Sequence, residues 1–240
     1  MDVDLPHTWN AVDGNDGNGS YYRGTCWYGG KMEDNGPWLD KFHAMHPSIP
    51  LGVSEYGCEG IITYHGPEPK CKDYSEDYQA LYHEHMAKVL DERPWIWSSH
   101  VWNMFDFGCA ARDEGGVAGR NNKGLVSMDR LTKKDSYYIY KAYWNPEPMV
   151  HLCGKRYAQR AGETREIKVY TNLDTVELYL NGELIGKQDV EKWSHAEWQV
   201  KYAPGCLEAK GYQNGKLVAE DKQETTGAPV KLRLTLNSDG

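Results

Sequence analysis

Near residue 148 the hydrophobic periodicity of this chain changes, and the change limits the folds open to it. Before that point, apolar residues recur at helical spacing between short apolar runs. Trp38-Leu-Asp-Lys-Phe-His43 predicts a helix with Trp38, Leu39 and Phe42 on one stripe. Ile49 to Val53 predicts a strand. Ser75 is placed to cap a helix whose apolar positions Tyr78, Leu81, Tyr82, His85, Met86 and Val89 recur three and four residues apart, and Pro94 stops it. Trp95 to Phe105 is nearly apolar throughout, the pattern of a strand buried on both faces. A long polar loop is expected from there to about Arg130. A last helix then runs from about Lys133 to Tyr143, closed by Asn145-Pro146. Helix alternating with strand is the grammar of a parallel sheet or barrel.

Beyond Pro146 and Pro148 the period becomes two. Glu166-Ile-Lys-Val-Tyr170 and Val176-Glu-Leu-Tyr-Leu180 alternate, and Trp198, Val200 and Tyr202 do so before Pro204-Gly205. Asn181-Gly182 and Asn214-Gly215 are hairpin turns. Short strands with regular turn signals predict a small antiparallel sandwich of immunoglobulin type. The first thirty residues differ again. Gly14-Asn-Asp-Gly-Asn-Gly-Ser20 reads as a loop between two short aromatic segments.

Composition removes several classes of function. A net charge of −8 argues against a nucleic-acid partner, which calls for a basic patch. No apolar run approaches the roughly 20 residues that cross a bilayer, so no membrane partner is expected. Met1-Asp-Val-Asp-Leu-Pro6 is acidic and lacks a signal-peptide pattern. Six scattered cysteines without a C-x-x-C pair predict reduced thiols, a cytoplasmic location and no structural zinc. No other metal-ligand spacing occurs; His83 and His85, two apart on a helix, do not share a face. The 17 Tyr and 9 Trp, against 3 Phe, suit sugar surfaces, since each joins a flat apolar face to a polar tip.

Ser54-Glu55-Tyr56 ends the predicted strand and Gly57 turns the chain. In a parallel barrel the strand C-termini form the catalytic face, so Glu55 is placed for chemistry. Taken with Tyr64-His-Gly-Pro-Glu-Pro69, Trp102-Asn-Met-Phe-Asp-Phe107, Arg112-Asp-Glu-Gly115, Asn121-Asn-Lys-Gly-Leu-Val126 and Asp129-Arg130, this motif resembles the end of the catalytic barrel of a glycoside hydrolase family 2 enzyme. The nearest resemblance is to bacterial β-galactosidases, and it covers about residues 27–236.

The resemblance implies an α/β plus all-β chain: part of a (β/α)8 barrel over 29–148, then an immunoglobulin-like sandwich over 149–236. Val3-Asp-Leu-Pro-His-Thr-Trp9 and Tyr21-Tyr-Arg-Gly-Thr-Cys-Trp-Tyr28 resemble the family's N-terminal sugar-binding sandwich, so 1–28 reads as its remnant. In a complete member that sandwich lies far upstream of the barrel. The chain therefore resembles an internally deleted enzyme joined near Trp27-Tyr28.

The implied activity is retaining hydrolysis of terminal β-D-galactosides, with Glu55 as the nucleophile. Trp102 would stack on the sugar, and His65 would meet a hydroxyl. Tyr56, next to the nucleophile, points the other way and is given no catalytic role. Asn121-x-Lys123 resembles the pair that grips the uronate carboxylate in the family's β-glucuronidases, which makes that activity the alternative. Arg112-Asp-Glu114 reads as a solvated charged loop. The family's general acid is the Glu of an Asn-Glu dipeptide, and no Asn-Glu dipeptide occurs here. The chain alone is accordingly expected to be inactive or weak, and a noncatalytic carbohydrate-binding fragment is a further alternative. No cofactor is assigned, though full-length relatives use magnesium or sodium. The expected partners are a carbohydrate and either a complementing chain or a second copy.

Overall fold

The computed structural model describes residues 2–4, 31–157, 164–228 and 231, without the side chains of 2–4 and of Ser54. The aromatic segments and glycine-rich stretch expected within 5–30 lie outside the described residues.

Three parallel strands, in the order β1-β2-β3, organise the first half: β1 (Asp2–Asp4), β2 (Leu51–Tyr56) and β3 (Ile96–Val101). The middle strand buries Leu51, Val53 and Tyr56. Among the described residues this half has three α-helices, α1 (Asn35–Met45), α2 (Glu76–Asp91) and α3 (Asp135–Trp144). α1 buries Trp38 and Leu39, as its stripe requires. At the start of α2, Ser75 Oγ accepts the Tyr78 N–H at 2.9 Å, which satisfies one first-turn donor. α3 stops at Asn145, whose extended backbone is what the following proline imposes. Leu39, Leu51, Val53, Tyr56, Tyr82, Met86 and Ile139 meet in one core.

Two expectations fail here. β3 is not buried on both faces: Trp97 is 64% exposed. Burial on both faces needs a cover on each side, and among the described residues the face that carries Trp97 lacks one. The long polar loop is in fact a hairpin of β4 (Phe107–Glu114) and β5 (Val117–Asn121), turning at Gly115-Gly116 with φ of 64° and 76°. A two-stranded ribbon with polar and half-exposed residues on both faces lacks the apolar alternation that announces a strand.

The second half has seven strands: β6 (Val150–Leu152), β7 (Thr164–Thr171), β8 (Thr175–Leu180), β9 (Glu183–Asp189), β10 (Ala196–Lys201), β11 (Cys206–Gln213) and β12 (Lys216–Glu224). They form two antiparallel sheets, β10-β7-β6 and β12-β11-β8-β9. The alternating residues Leu152, Ile167, Val169, Val176, Leu178 and Ala209 fill the space between them. Asn181-Gly182 and Asn214-Gly215 turn with positive φ at both positions, as primed hairpin turns require.

The halves meet along a charged seam. Arg156 pairs with Glu76, His151 with Asp135 (2.9 Å), His195 with Glu84 (2.7 Å) and Lys192 with Asp91 (2.7 Å). Tyr170 and Trp193 cross the seam and join the core of the first half. No described helix is long and apolar enough to cross a membrane. The five described cysteines are free thiols.

Candidate active site

Glu55 is the next-to-last residue of β2, half-buried at the C-terminal end of the strand. The pleat turns its neighbour Tyr56 the other way, fully into the core. There Tyr140 donates its hydroxyl to Tyr56 Oη at 3.1 Å, and His83 Nδ1 lies 2.9 Å from the Tyr140 oxygen. Because Tyr140 donates onward, His83 Nδ1–H is the donor in that pair. Burial pushes the Tyr56 phenol up to about 12, so it stays neutral beneath the strand end.

Two segments lock around this strand end. The Trp102 N–H donates to the Tyr56 carbonyl at 2.8 Å. Gly57 passes so close that a Cβ there would lie 2.1 Å from the Trp102 carbonyl oxygen, so only glycine fits. A cis peptide joins Trp102 to Asn103. From there residues 103–106 pair with 123–126: Asn103 N–H to Lys123 O (3.3 Å), Leu125 N–H to Asn103 O (2.9 Å), Val126 N–H to Met104 O (3.0 Å) and Asp106 N–H to Val126 O (2.9 Å). The Asn121-x-Lys123 segment is thereby held beside the loop that follows Glu55.

Asn121, Asn122 and Lys123 are all buried, Lys123 to 1% exposure. Asn121 Oδ1 accepts the Lys123 N–H at 3.0 Å. Burial pulls the Lys123 ammonium below its ordinary value and the Arg112 charge adds to this, while Glu59 opposes both. Behind the segment, the fully buried Lys134 donates to Asp106 Oδ1 (2.8 Å) and to the Asn122 carbonyl (3.0 Å). Asp106 Oδ1 also accepts the Gly124 N–H at 2.8 Å. Desolvation pushes the Asp106 carboxyl up, and the Lys134 charge opposes it. Gln79 Nε2 donates to the carbonyls of Cys58 (3.0 Å) and Gly124 (3.2 Å).

Trp102 follows β3, 38% exposed, edge-on to Phe107 with ring centroids 6.0 Å apart. His65 departs from its expected role. Its side chain is 4% exposed, Nδ1 donates to Asp77 Oδ2 at 2.9 Å and Nε2 lies 3.2 Å from the Ile62 carbonyl. Both ring nitrogens are spent inside the protein, and the ring stacks on Tyr157 at 5.3 Å. Burial alone would lower its pKa, but the hydrogen bond and charge of Asp77, with Glu76, raise it. Arg112 is no solvated loop residue either. It lies on β4, with Nη1 3.5 Å from Glu59 Oε1 and Nη2 3.1 Å from Glu114 Oε1.

Sequence reasoning missed Glu59, Lys134, Gln79 and the buried role of Asp106, because a charge destined for burial reads like any surface charge. It also missed a cluster in the seam. Asp135, His151 and Cys153 bring ligand-type atoms within 4.8 Å of one another. The Asp135 carboxylate there is already engaged by His151, by the Gly154 N–H (2.7 Å) and by Arg156 (3.7 Å), which marks an ion-pair network. Elsewhere, a cleft of 420 Å³ opens between the sandwich sheets. Ile167 and Val200 form its floor, and Tyr157, Tyr202, Arg165 and Lys201 its rim.

A family profile described as a domain of unknown function (DUF4982) matches residues 162–219, within the sandwich. A β-glucuronidase of Bacteroides fragilis is 38% identical over 205 residues, which cover 82% of this chain and 28% of the relative. The crystal structure of an FMN-binding β-glucuronidase from Faecalibacterium prausnitzii L2-6 is 60% identical, with a TM-score of 0.75 over 82% of this chain and 30% of that one. The chain belongs to glycoside hydrolase family 2. Within family 2, a β-galactosidase of Bacteroides ovatus is also similar, 31% identical over 166 residues that cover 66% of this chain and 19% of the relative. The family 2 resemblance found in the motifs thus stands, with relatives of both substrate types. The chain spans less than a third of the length of these family 2 relatives.

Proposed function

We propose that this chain is the nucleophile-bearing part of a retaining β-glucuronidase. In this reading 29–148 is the end of a (β/α)8 barrel, 149–236 an immunoglobulin-like sandwich, and 1–28 a remnant of a sugar-binding domain. Glu55 attacks the anomeric carbon and forms a glycosyl ester, and the leaving oxygen takes its proton from a carboxylic acid on the other side of the bond. Retention requires that acid about 5–5.5 Å from the nucleophile. With no Asn-Glu dipeptide in the 240 residues, the acid comes from another polypeptide segment. Trp102 supplies the apolar platform, and Asn121 and Lys123 hold the C6 carboxylate.

The placement of Asn121 and Lys123 together against the loop after Glu55 carries the choice of glucuronide over galactoside. A lysine ammonium beside an Asn amide can meet a substrate carboxylate by charge and hydrogen bond together. The glucuronidase names of the relatives support the same choice. The test is a titration of the chain with D-glucuronate and with D-galactose, followed by the NMR signals of Lys123 and the Trp102 indole. Glucuronate is expected to bind at least ~10-fold tighter, a difference that Lys123→Met removes, since a charge-assisted contact amounts to ~1.5–3 kcal/mol. Equal or tighter binding of galactose overturns the glucuronide reading. Chromogenic β-glucuronide and β-galactoside should both remain uncleaved by the chain alone.

The cleft between the sheets favours a second reading, a flavin mononucleotide site like that named for the Faecalibacterium relative. The residues fit such a group. Gln223 Oε1 is buried at the cleft without a hydrogen-bond partner, a ready acceptor for a flavin ring N–H. Arg165 and Lys201 would face the phosphate. A flavin carries electrons, which glycoside hydrolysis does not move, so its role would lie outside the hydrolytic step. Saturable quenching of flavin fluorescence, weaker for riboflavin and weaker in Arg165→Ala, is expected. No quenching by the parent chain would dismiss the site.

A further inference from the structure

Glu59 is a carboxylate with no access to water, four residues beyond the proposed nucleophile. Its Oε2 accepts the Asn122 N–H at 2.6 Å. The adjacent Gly60 N–H donates to the Asn122 carbonyl at 2.9 Å, and Lys134 Nζ donates to the same carbonyl at 3.0 Å. The residue between Asn121 and Lys123 is therefore gripped at both its N–H and its C=O by the loop that continues from Glu55. Arg112 Nη1 stands 3.5 Å from the other Glu59 oxygen, which has no hydrogen-bond partner.

Resting on the glucuronide reading above, we infer that Glu59 is a specificity-positioning residue: it ties the carboxylate-binding Asn121-x-Lys123 segment to the nucleophile loop and counters the charge that Arg112 presses on the Lys123 ammonium. Two separate features carry this. The short bond to Asn122 fixes where the segment lies relative to Glu55. Glu59 favours the charged form of Lys123 against burial and Arg112, and only a protonated lysine attracts a uronate. The groups acting on Lys123 are Arg112 and Glu114 from the β4–β5 hairpin, and Cys58 and Glu59 from the loop. Arg112 and burial disfavour its charge, whereas Glu59, Cys58 and Glu114 favour it. On the other side of the segment, the Lys134–Asp106 pair balances itself at 2.8 Å. Glu59 thus contacts one cation, Arg112, and bears electrostatically on a second, Lys123.

The sign follows. Lys123 already titrates below an ordinary lysine, and removing the Glu59 charge lowers its midpoint further. Carboxylate recognition is then lost at a lower pH as pH rises. The experiment follows the Lys123 13Cε shift against pH in the chain itself, assigned with Lys123→Arg. Glu59→Gln is expected to lower the Lys123 midpoint by about one pH unit or more, the scale set by a single opposite charge nearby. Glu59→Asp keeps the charge and is expected to restore most of it, and the midpoint of Lys134 is expected to move less. A merely structural Glu59 would leave the Lys123 midpoint in place once the variant is folded, and that result overturns the inference. If Glu59→Gln does not fold, Arg112→Met serves instead, with the opposite expectation of a raised midpoint, and no rise there is equally fatal. Adding D-glucuronate separates the two readings. A midpoint that responds to Glu59 but not to glucuronate upholds the charge link and sinks the substrate reading.

Discussion

Lys134→Met is expected to destabilise the protein by ~3–5 kcal/mol, the usual consequence of removing one partner from a buried ion pair. Lys134 is fully buried, and Asp106, its partner at 2.8 Å, is 5% exposed. Methionine matches the stem but leaves the Asp106 carboxylate without a counter-charge, and the Asn122 carbonyl loses one of its donors. The carboxyl is already pushed up by desolvation, so the variant would take up a proton there in place of the lysine contact. The double variant Asp106→Asn/Lys134→Met should recover much of the loss. Its Asn oxygen still accepts the Gly124 N–H, and no charge is left buried. Urea midpoints of the parent and both variants test this. A single variant within about 1 kcal/mol of the parent would show that the pair contributes little.

Mild acid should destabilise the protein through His83. The ring is fully buried, and its Nε2 has no hydrogen-bond partner. Burial first, and the Lys134 charge second, lower its pKa from 6.5 to about 3. The folded protein therefore prefers the neutral ring, whereas the unfolded chain protonates near pH 6.5. The stability from this preference is complete above pH 6.5 and is lost as pH falls toward 3. The loss runs at about 1.4 kcal/mol per pH unit, roughly 2 kcal/mol by pH 5. His65 and His195 act in the opposite sense, since their neighbouring carboxylates raise their pKa values despite burial. A comparison with His83→Gln isolates the single ring. Between pH 7.5 and pH 5 the parent should lose about 2 kcal/mol more than the variant by urea titration. Equal losses would mean that the cavity rehydrates when the ring charges. Because Lys134 acts on His83, this variant and Lys134→Met should not be additive.

Much of the architecture was legible because it rests on local signals. Ser75, Pro94, Asn145-Pro146 and the two Asn-Gly turns fix element ends by backbone chemistry that needs no partner. The strand ending in Glu55 was readable because its apolar run and its glycine turn are contiguous. The hairpin at 107–121 was not, because its stability comes from pairing across Gly115-Gly116 and not from an apolar face. His65 was misassigned for a related reason. Its partners Asp77 and Glu76 lie on α2, and only the fold brings them to the ring. The supports of the candidate site were the least visible. Glu59, Asp106 and Lys134 are far apart in sequence and become one network only around Asn122 and Gly124.

Among the described residues β3 ends its sheet, and that edge has a consequence for any segment that pairs with it. Side chains along a strand alternate between two faces with a repeat of two residues. A parallel segment laid against β3 must therefore match that alternation in phase. Slipping it by a single residue would carry its whole apolar row from the helix-covered side to the other, however good its composition. Two candidate segments with the same amino acids, offset by one, should thus differ between docking and rejection. The strand edge selects its partner by parity.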